Sequence, residues 1–258
     1  MLEFFLILCV GGFAGIMTGI LGASGVMAVV PGMLLLHYST YQAIGTSLAV
    51  DMIASLVVSL IYFRHGRVNL SQSIWIAGAA ILGAQAGSHF SNRVPDISLS
   101  FGFGILLIGS AIYFWRTGLS QDYQKIQNLP VAKYMKQQPI ITSLMVGLWA
   151  GIYSGLFGAG GGMLFLVALL LLGYSLHQAI GTSTLIMALT TASGTIGHAM
   201  IGHLPYLAIG GIATGTLVGS FTSARLANRL DEHRLGKIIA LVLGILGLAT
   251  LLLPALSA

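Results

Sequence analysis

Long apolar runs separated by short polar intervals make up almost the whole chain, near residues 2–36, 43–63, 70–90, 97–115, 140–173, 179–200, 205–224 and 236–256. Most reach the roughly 20 residues that a helix needs to cross the hydrocarbon of a bilayer. Nothing alternates with period two, so the runs read as helices rather than as barrel strands. Two runs are too long. As a continuous helix, 2–36 or 140–173 would extend about 50 Å at 1.5 Å per residue, against a hydrocarbon core of roughly 30 Å. Each contains a glycine cluster, "GILGASGVM" at 19–27 and "GLFGAGGGM" at 155–163, and each is predicted to break there.

A backbone broken at membrane depth leaves N–H and C=O groups that only protein or a wet cavity can meet. A helix restarting near Val26, or near Gly162, points several free N–H groups and the positive end of its dipole at that cavity, which is the chemistry of an anion site. The candidate ligands are therefore the backbone around Ala23, Ser24 and Gly25 and around Ala159, Gly160, Gly161 and Gly162. The outer glycines, Gly15/Gly19 and Gly151/Gly155, have the four-residue spacing that lets helices pack closely, a purely structural use. A soluble dinucleotide fingerprint is excluded, since no strand precedes the glycines and no acidic ribose ligand follows at the required distance.

The two clusters belong to a duplication. At a constant shift of 136 positions, "GGFAGIMTGILGASGVM" from Gly11 faces "GLWAGIYSGLFGAGGGM" from Gly147, and "YSTYQAIGTS" from Tyr38 faces "YSLHQAIGTS" from Tyr174. The register holds without a gap to Asn92/Arg93 against Asn228/Arg229. Charge gives its sense. If every run crosses once, the eleven Lys and Arg residues divide six against five between the two sides. If runs 2–36 and 140–173 turn back at their glycines, ten share one side and only Arg93 lies opposite. The positive-inside tendency favours the second arrangement, hence inverted repeats with a cytoplasmic connector and both termini outside. The expected fold is an all-α polytopic membrane protein of two inverted structural repeats, each a glycine-broken segment, half-helix or re-entrant, followed by three transmembrane helices. The repeats occupy 1–117 and 139–258, and the connector 118–138.

Polar residues inside the spans mark the interior. Ser47, Asp51, Ser55 and Ser59 recur every four residues, and the second repeat answers with Ser183, Thr191 and Thr195, with Met187 standing where Asp51 stands. Ser and Thr hydroxyls can be satisfied by their own helix carbonyls. An ionisable group within a span is costly and serves an ion or proton path more often than packing, which singles out Asp51 and, near the end of the second stripe, His198. Gln42, Thr46 and Ser47, matched by Gln178, Thr182 and Ser183, open the following helices. They either cap those helices or line the same cavity as the breaks.

Composition narrows the classes. The 258 residues are 56% hydrophobic and 7% charged with mean hydropathy +0.94, too little polar surface for a water-soluble globule. The net charge of +5 does not point to nucleic acid, because the basic residues sit at the ends of apolar runs. Cys9 has no disulfide partner in the chain, no Cys/His set has metal-ligand spacing, and no cofactor is expected. "MLEFF" lacks a basic n-region, so the first run reads as a retained span rather than a cleaved signal. The expected partners are the lipid bilayer of the cell (inner) membrane and a small anionic substrate, with a coupling proton.

The paired glycine strings and the twice-occurring Q-A-I-G-T-S, in a duplicated apolar chain of this length, resemble the sulfite exporter TauE/SafE family of membrane transporters. The resemblance covers nearly the whole chain apart from the connector. It implies a secondary active transporter working in the export direction on a small sulfur-containing anion such as sulfite, sulfoacetate or thiosulfate. The second glycine motif fits at Gly151, Gly155, Gly158, Gly160, Gly161 and Gly162, whereas the first departs at Ser24 and Val26. The mechanism that follows is alternating access at a midplane site between the repeats, with Asp51 and His198 as candidates for proton coupling. An uncoupled anion channel is the alternative. A more distant one is an intramembrane serine protease, since "GASG" at 22–25 has a G-x-S-G pattern and His198 or His203 offers a base; the twin of the serine is Gly160, which argues against a dyad.

Overall fold

The computed structural model describes residues 2–21, 24–117, 130–202 and 204–226, with 241, 244–245 and 247–248 beyond them. Ten α-helices run through these residues: α1 (Leu2–Leu21), α2 (Val26–Leu35), α3 (Thr40–Arg64), α4 (Leu70–Ser91), α5 (Asp96–Thr117), α6 (Pro130–Gln137), α7 (Pro139–Phe157), α8 (Gly162–Leu171), α9 (Leu176–Ile201) and α10 (Tyr206–Leu226). The two overlong runs are each interrupted at their glycine cluster. The helices resume at Val26 and Gly162.

Local chemistry accounts for the boundaries. Ser39 caps α3 through a capping box, its Oγ accepting from Gln42 N at 3.2 Å while Gln42 Oε1 accepts from Ser39 N at 3.3 Å. Asn69 caps α4 by accepting from Ser71 N at 3.1 Å. Pro139 begins α7, where its missing N–H costs nothing. At the other end of α7, Gly158, Gly160 and Gly161 adopt φ of 70°, 59° and 71°. A side chain in that left-handed region is unfavourable at each position, so this turn depends on glycine. The connector is helical over Pro130–Gln137, with Ala132 and Met135 buried; residues 118–129 lie outside the described ones.

Large apolar side chains face outward, and ionisable groups lie within among an otherwise apolar core. Leu207, Met200 and Trp149 are 90%, 79% and 69% exposed, whereas Asp51 and His198 are 1% and 0% exposed. Such a surface is suited to hydrocarbon. Among the described residues, Thr40–Arg64, Pro139–Phe157 and Gln178–Ile201 are long and apolar enough to cross a membrane by length and composition. The run 236–256 lies largely outside the described residues.

Close approaches between helices come in pairs shifted by 136 positions. Gly11 of α1 abuts the backbone of Ile212 in α10, and Gly147 of α7 abuts that of Ile76 in α4. Gly15 meets Thr216 as Gly151 meets Ala80. Gly11, Gly15, Gly147, Gly151 and Gly155 thus serve packing: a β-carbon there would collide with backbone atoms that have no room to withdraw. The third contact, between α3 and α9, repeats with its partners exchanged. A β-carbon on Gly45 would lie 3.2 Å from His198 Cβ, and one on Gly181 2.9 Å from Tyr62 Cβ. The paired helices α1·α10 and α4·α7 flank this central α3·α9 contact.

Candidate functional site

Asp51, halfway along α3, connects the two breaks. Its Oδ2 accepts a short hydrogen bond from Ser24 Oγ, and its Oδ1 accepts from Gly25 N at 3.1 Å. Ser24 Oγ in turn accepts from Val26 N at 3.2 Å. A buried carboxyl therefore sits on the start of α2, where the helix presents its positive end and its unpaired N–H groups. The same side chain reaches the other break: a β-carbon on Gly160 would lie 2.9 Å from Asp51 Oδ2 and 2.8 Å from Met187 Cε. Gly160 has space for nothing larger than hydrogen.

The start of α8 differs. Its N-cap is Gly161, with no side-chain cap, and Met187 lies over it, its sulfur 2.6 Å from where a β-carbon on Gly162 would be. Met187 occupies the position in α9 that Asp51 occupies in α3. A thioether is apolar and polarizable and supplies neither charge nor a strong acceptor. Ala159 is buried, and its carbonyl accepts from Gly161 N at 2.6 Å in a tight turn. Ser47 joins this break from α3, donating its Oγ–H to Gly158 O at 3.1 Å.

The other candidates are more dispersed. Gln42 completes the α3 capping box, and Gln178 Oε1 accepts from Ser175 Oγ at 3.2 Å at the start of α9. Thr182 Oγ1 accepts from Asn69 N at 3.0 Å, whereas Thr46 Oγ1 is buried without a partner among the described residues. Ser183, Ser59, Thr191 and Thr195 donate to carbonyls three or four residues back in their own helices. These contacts do not bring Gln42, Gln178 or Thr182 to the breaks. Ala23 and His203 lie outside the described residues.

His198 is placed apart from Asp51. Its Nε2 lies 3.0 Å from Gly155 O, so that nitrogen carries the hydrogen, while Nδ1 is buried without a partner among the described residues. Tyr41 stacks beside the ring with centroids 4.5 Å apart and donates its OH to His198 O at 3.0 Å. Ser24 is bonded to Asp51 and to Val26 N, and His198 to Gly155, so among the described residues Ser24 and His198 form no serine–histidine dyad. Sequence reasoning missed Met187 as a lining residue. The signal was present, because two exchanges between the halves, Ser24 for Gly160 and Asp51 for Met187, share the one shift.

The family described as sulfite exporter TauE/SafE matches residues 7–250. YdhB of Bacillus subtilis, a probable membrane transporter protein, is 26% identical over 249 residues, covering 95% of this chain and 99% of its own. YunE of the same organism, likewise a probable membrane transporter protein, is 24% identical over 95% of this chain and 96% of its own. MJ0441 of Methanocaldococcus jannaschii, of the same description, is 27% identical over 96% and 95%. No solved structure matches the chain.

Proposed function

This chain belongs to the sulfite exporter TauE/SafE family, a family of multi-pass membrane transporters rather than enzymes, and from that premise we propose that it is a secondary active exporter of a small sulfur-containing anion. The observation that carries the reading is the meeting of two interrupted helices at one buried carboxyl, with the starts of α2 and α8 turned to the same interior. Backbone N–H groups at a helix start hold an oxyanion without a fixed cationic partner. Weak holding of this kind suits a carrier that must also release its cargo.

The anion sits at the α8 start, against Ala159 to Gly162, with Ser47, Ser24 and Gly25 close by. Gln42 with its twin Gln178, and Thr182 and Ser183, the twins of Thr46 and Ser47, support the helices that carry these groups. The halves are inverted repeats, a reading supported by the contacts that recur at the 136-residue shift with partners exchanged and by the ten-to-one division of basic residues that turned-back glycine segments would give. Rocking of one half on the other at the α3·α9 contact exposes the site to each side in turn. Asp51 carries the coupling proton; His198, the other candidate, is held at Gly155 O apart from the carboxyl.

Counterflow in proteoliposomes tests this. Vesicles loaded with unlabelled sulfite, sulfoacetate or thiosulfate are expected to take up the labelled species saturably with at least one of the three. Flux without saturation or counterflow identifies a channel, and no flux with folded protein removes the sulfur-anion assignment.

A further inference from the structure

Asp51 occupies the place that an anion would take at the start of α2, and it also touches the place proposed for the anion at the start of α8. Its Oδ1 is held by Gly25 N at 3.1 Å and its Oδ2 by Ser24 Oγ. The same Oδ2 is 2.9 Å from the β-carbon position of Gly160. An ionised Asp51 and an oxyanion at Gly160–Gly162 would thus be neighbours in a buried site, where like charges repel strongly. The helix starts offer partial positive charge, but no described cationic side chain bonds Asp51 to offset a second full negative charge. The twin position is the uncharged Met187, and α2 and α8 carry no titratable residue.

We propose, resting on the transport reading above, that the anion binds only together with a proton on Asp51, so that anion and proton cross in the same direction, one proton for each anion; a divalent anion such as thiosulfate then still carries one net negative charge outward, down an inside-negative membrane potential. The hydrogen bonds at Asp51 permit the exchange without loss of structure. With a proton on Oδ2, the acid donates to Ser24 Oγ, which still accepts from Val26 N, and the Ser24 hydroxyl hydrogen turns away, free to donate to the incoming anion. The Gly25 N–H bond to Oδ1 is retained. The proton leaves Oδ2 when the anion departs, and the Ser24 hydroxyl turns back to the carboxylate.

Titratable groups on the elements packed near Asp51 do not share this role. On α9, His198 is eleven positions beyond Met187 and is held by Gly155 O; His177 is at that helix's start. Tyr153 of α7, Tyr206 of α10 and Tyr41 and Tyr62 of α3 are phenols. Arg64 ends α3, Arg225 is in the last turn of α10, and α5 carries Asp96 at its first residue and Tyr113 and Arg116 near its end. None of these is among the described hydrogen-bond partners of Asp51.

The test uses purified full-length protein and thiosulfate, an anion that does not itself titrate near neutral pH. Titration in weakly buffered solution with a pH indicator should show uptake of about one proton per anion bound. Affinity should fall about tenfold per pH unit once Asp51 loses its proton, as one obligatory proton requires. In Asp51→Asn, binding should be independent of pH and take up no proton. Thiosulfate binding to the wild type with no proton uptake and no pH dependence overturns the coupling alone, and needs no folded variant to be decisive. Proton uptake that persists in folded Asp51→Asn also overturns it. No binding of thiosulfate, sulfite or sulfoacetate by folded wild type overturns the sulfur-anion reading and the coupling with it.

Discussion

The two broken segments solve the same backbone problem with different side chains. At the start of α2 a hydroxyl and a carboxyl, Ser24 and Asp51, meet the exposed N–H groups. At the start of α8 the corresponding residues are Gly160 and Met187, and no side chain caps the helix. The exchanges are coupled in space: the serine of one half bonds the carboxyl, and the glycine of the other makes room for it. A single paired exchange at the 136-position shift gives one helix start a hydroxyl and a carboxyl and leaves the other with neither.

Substitution at the second break should have the largest effect. Gly160→Ala places a methyl group against Asp51 and Met187 at a φ of 59°, where the left-handed conformation alone costs an alanine roughly 1–2 kcal/mol. Saturable counterflow should be lost, with a lowered unfolding temperature in detergent. Wild-type counterflow in this variant would mean that the carboxyl need not stay near the second break.

The first break should tolerate more. Ser24→Ala removes a donor to Asp51 and an acceptor for Val26 N–H, a loss of about 1–3 kcal/mol for partners left unsatisfied. Thermal unfolding should register it, while counterflow slows but persists. Complete loss of exchange in a folded Ser24→Ala protein would mean that the bond from this hydroxyl to the anion is indispensable.

The smallest effects separate the threonine twins. Thr182 accepts from Asn69 N–H, but the residue 136 positions beyond Asn69 is Pro205, which has no N–H to give, and Thr46 Oγ1 is without a partner among the described residues. Thr182→Val should therefore destabilise by about 1 kcal/mol, and Thr46→Val should be neutral or slightly stabilising. Equal losses in thermal unfolding would show that the hydroxyls do the same work.

Much of the architecture is legible in the chain itself. Run lengths and the glycine clusters locate the two breaks and the helix restarts at Val26 and Gly162, because hydrocarbon thickness and the cost of consecutive glycines leave few other solutions. Composition declares the membrane. The shift of 136 positions reveals the duplication, and the sole carboxylate in the second apolar run draws attention to Asp51. Only the tertiary structure decided that Asp51 spans both breaks, that Met187 lies over the start of α8, and that Gln42 and Gln178 stay at their own helix starts. Periodicity reports which face of a helix a residue occupies. It does not report how far that helix slides along its neighbour, and the antiparallel contact of α3 with α9 sets which twin faces which break.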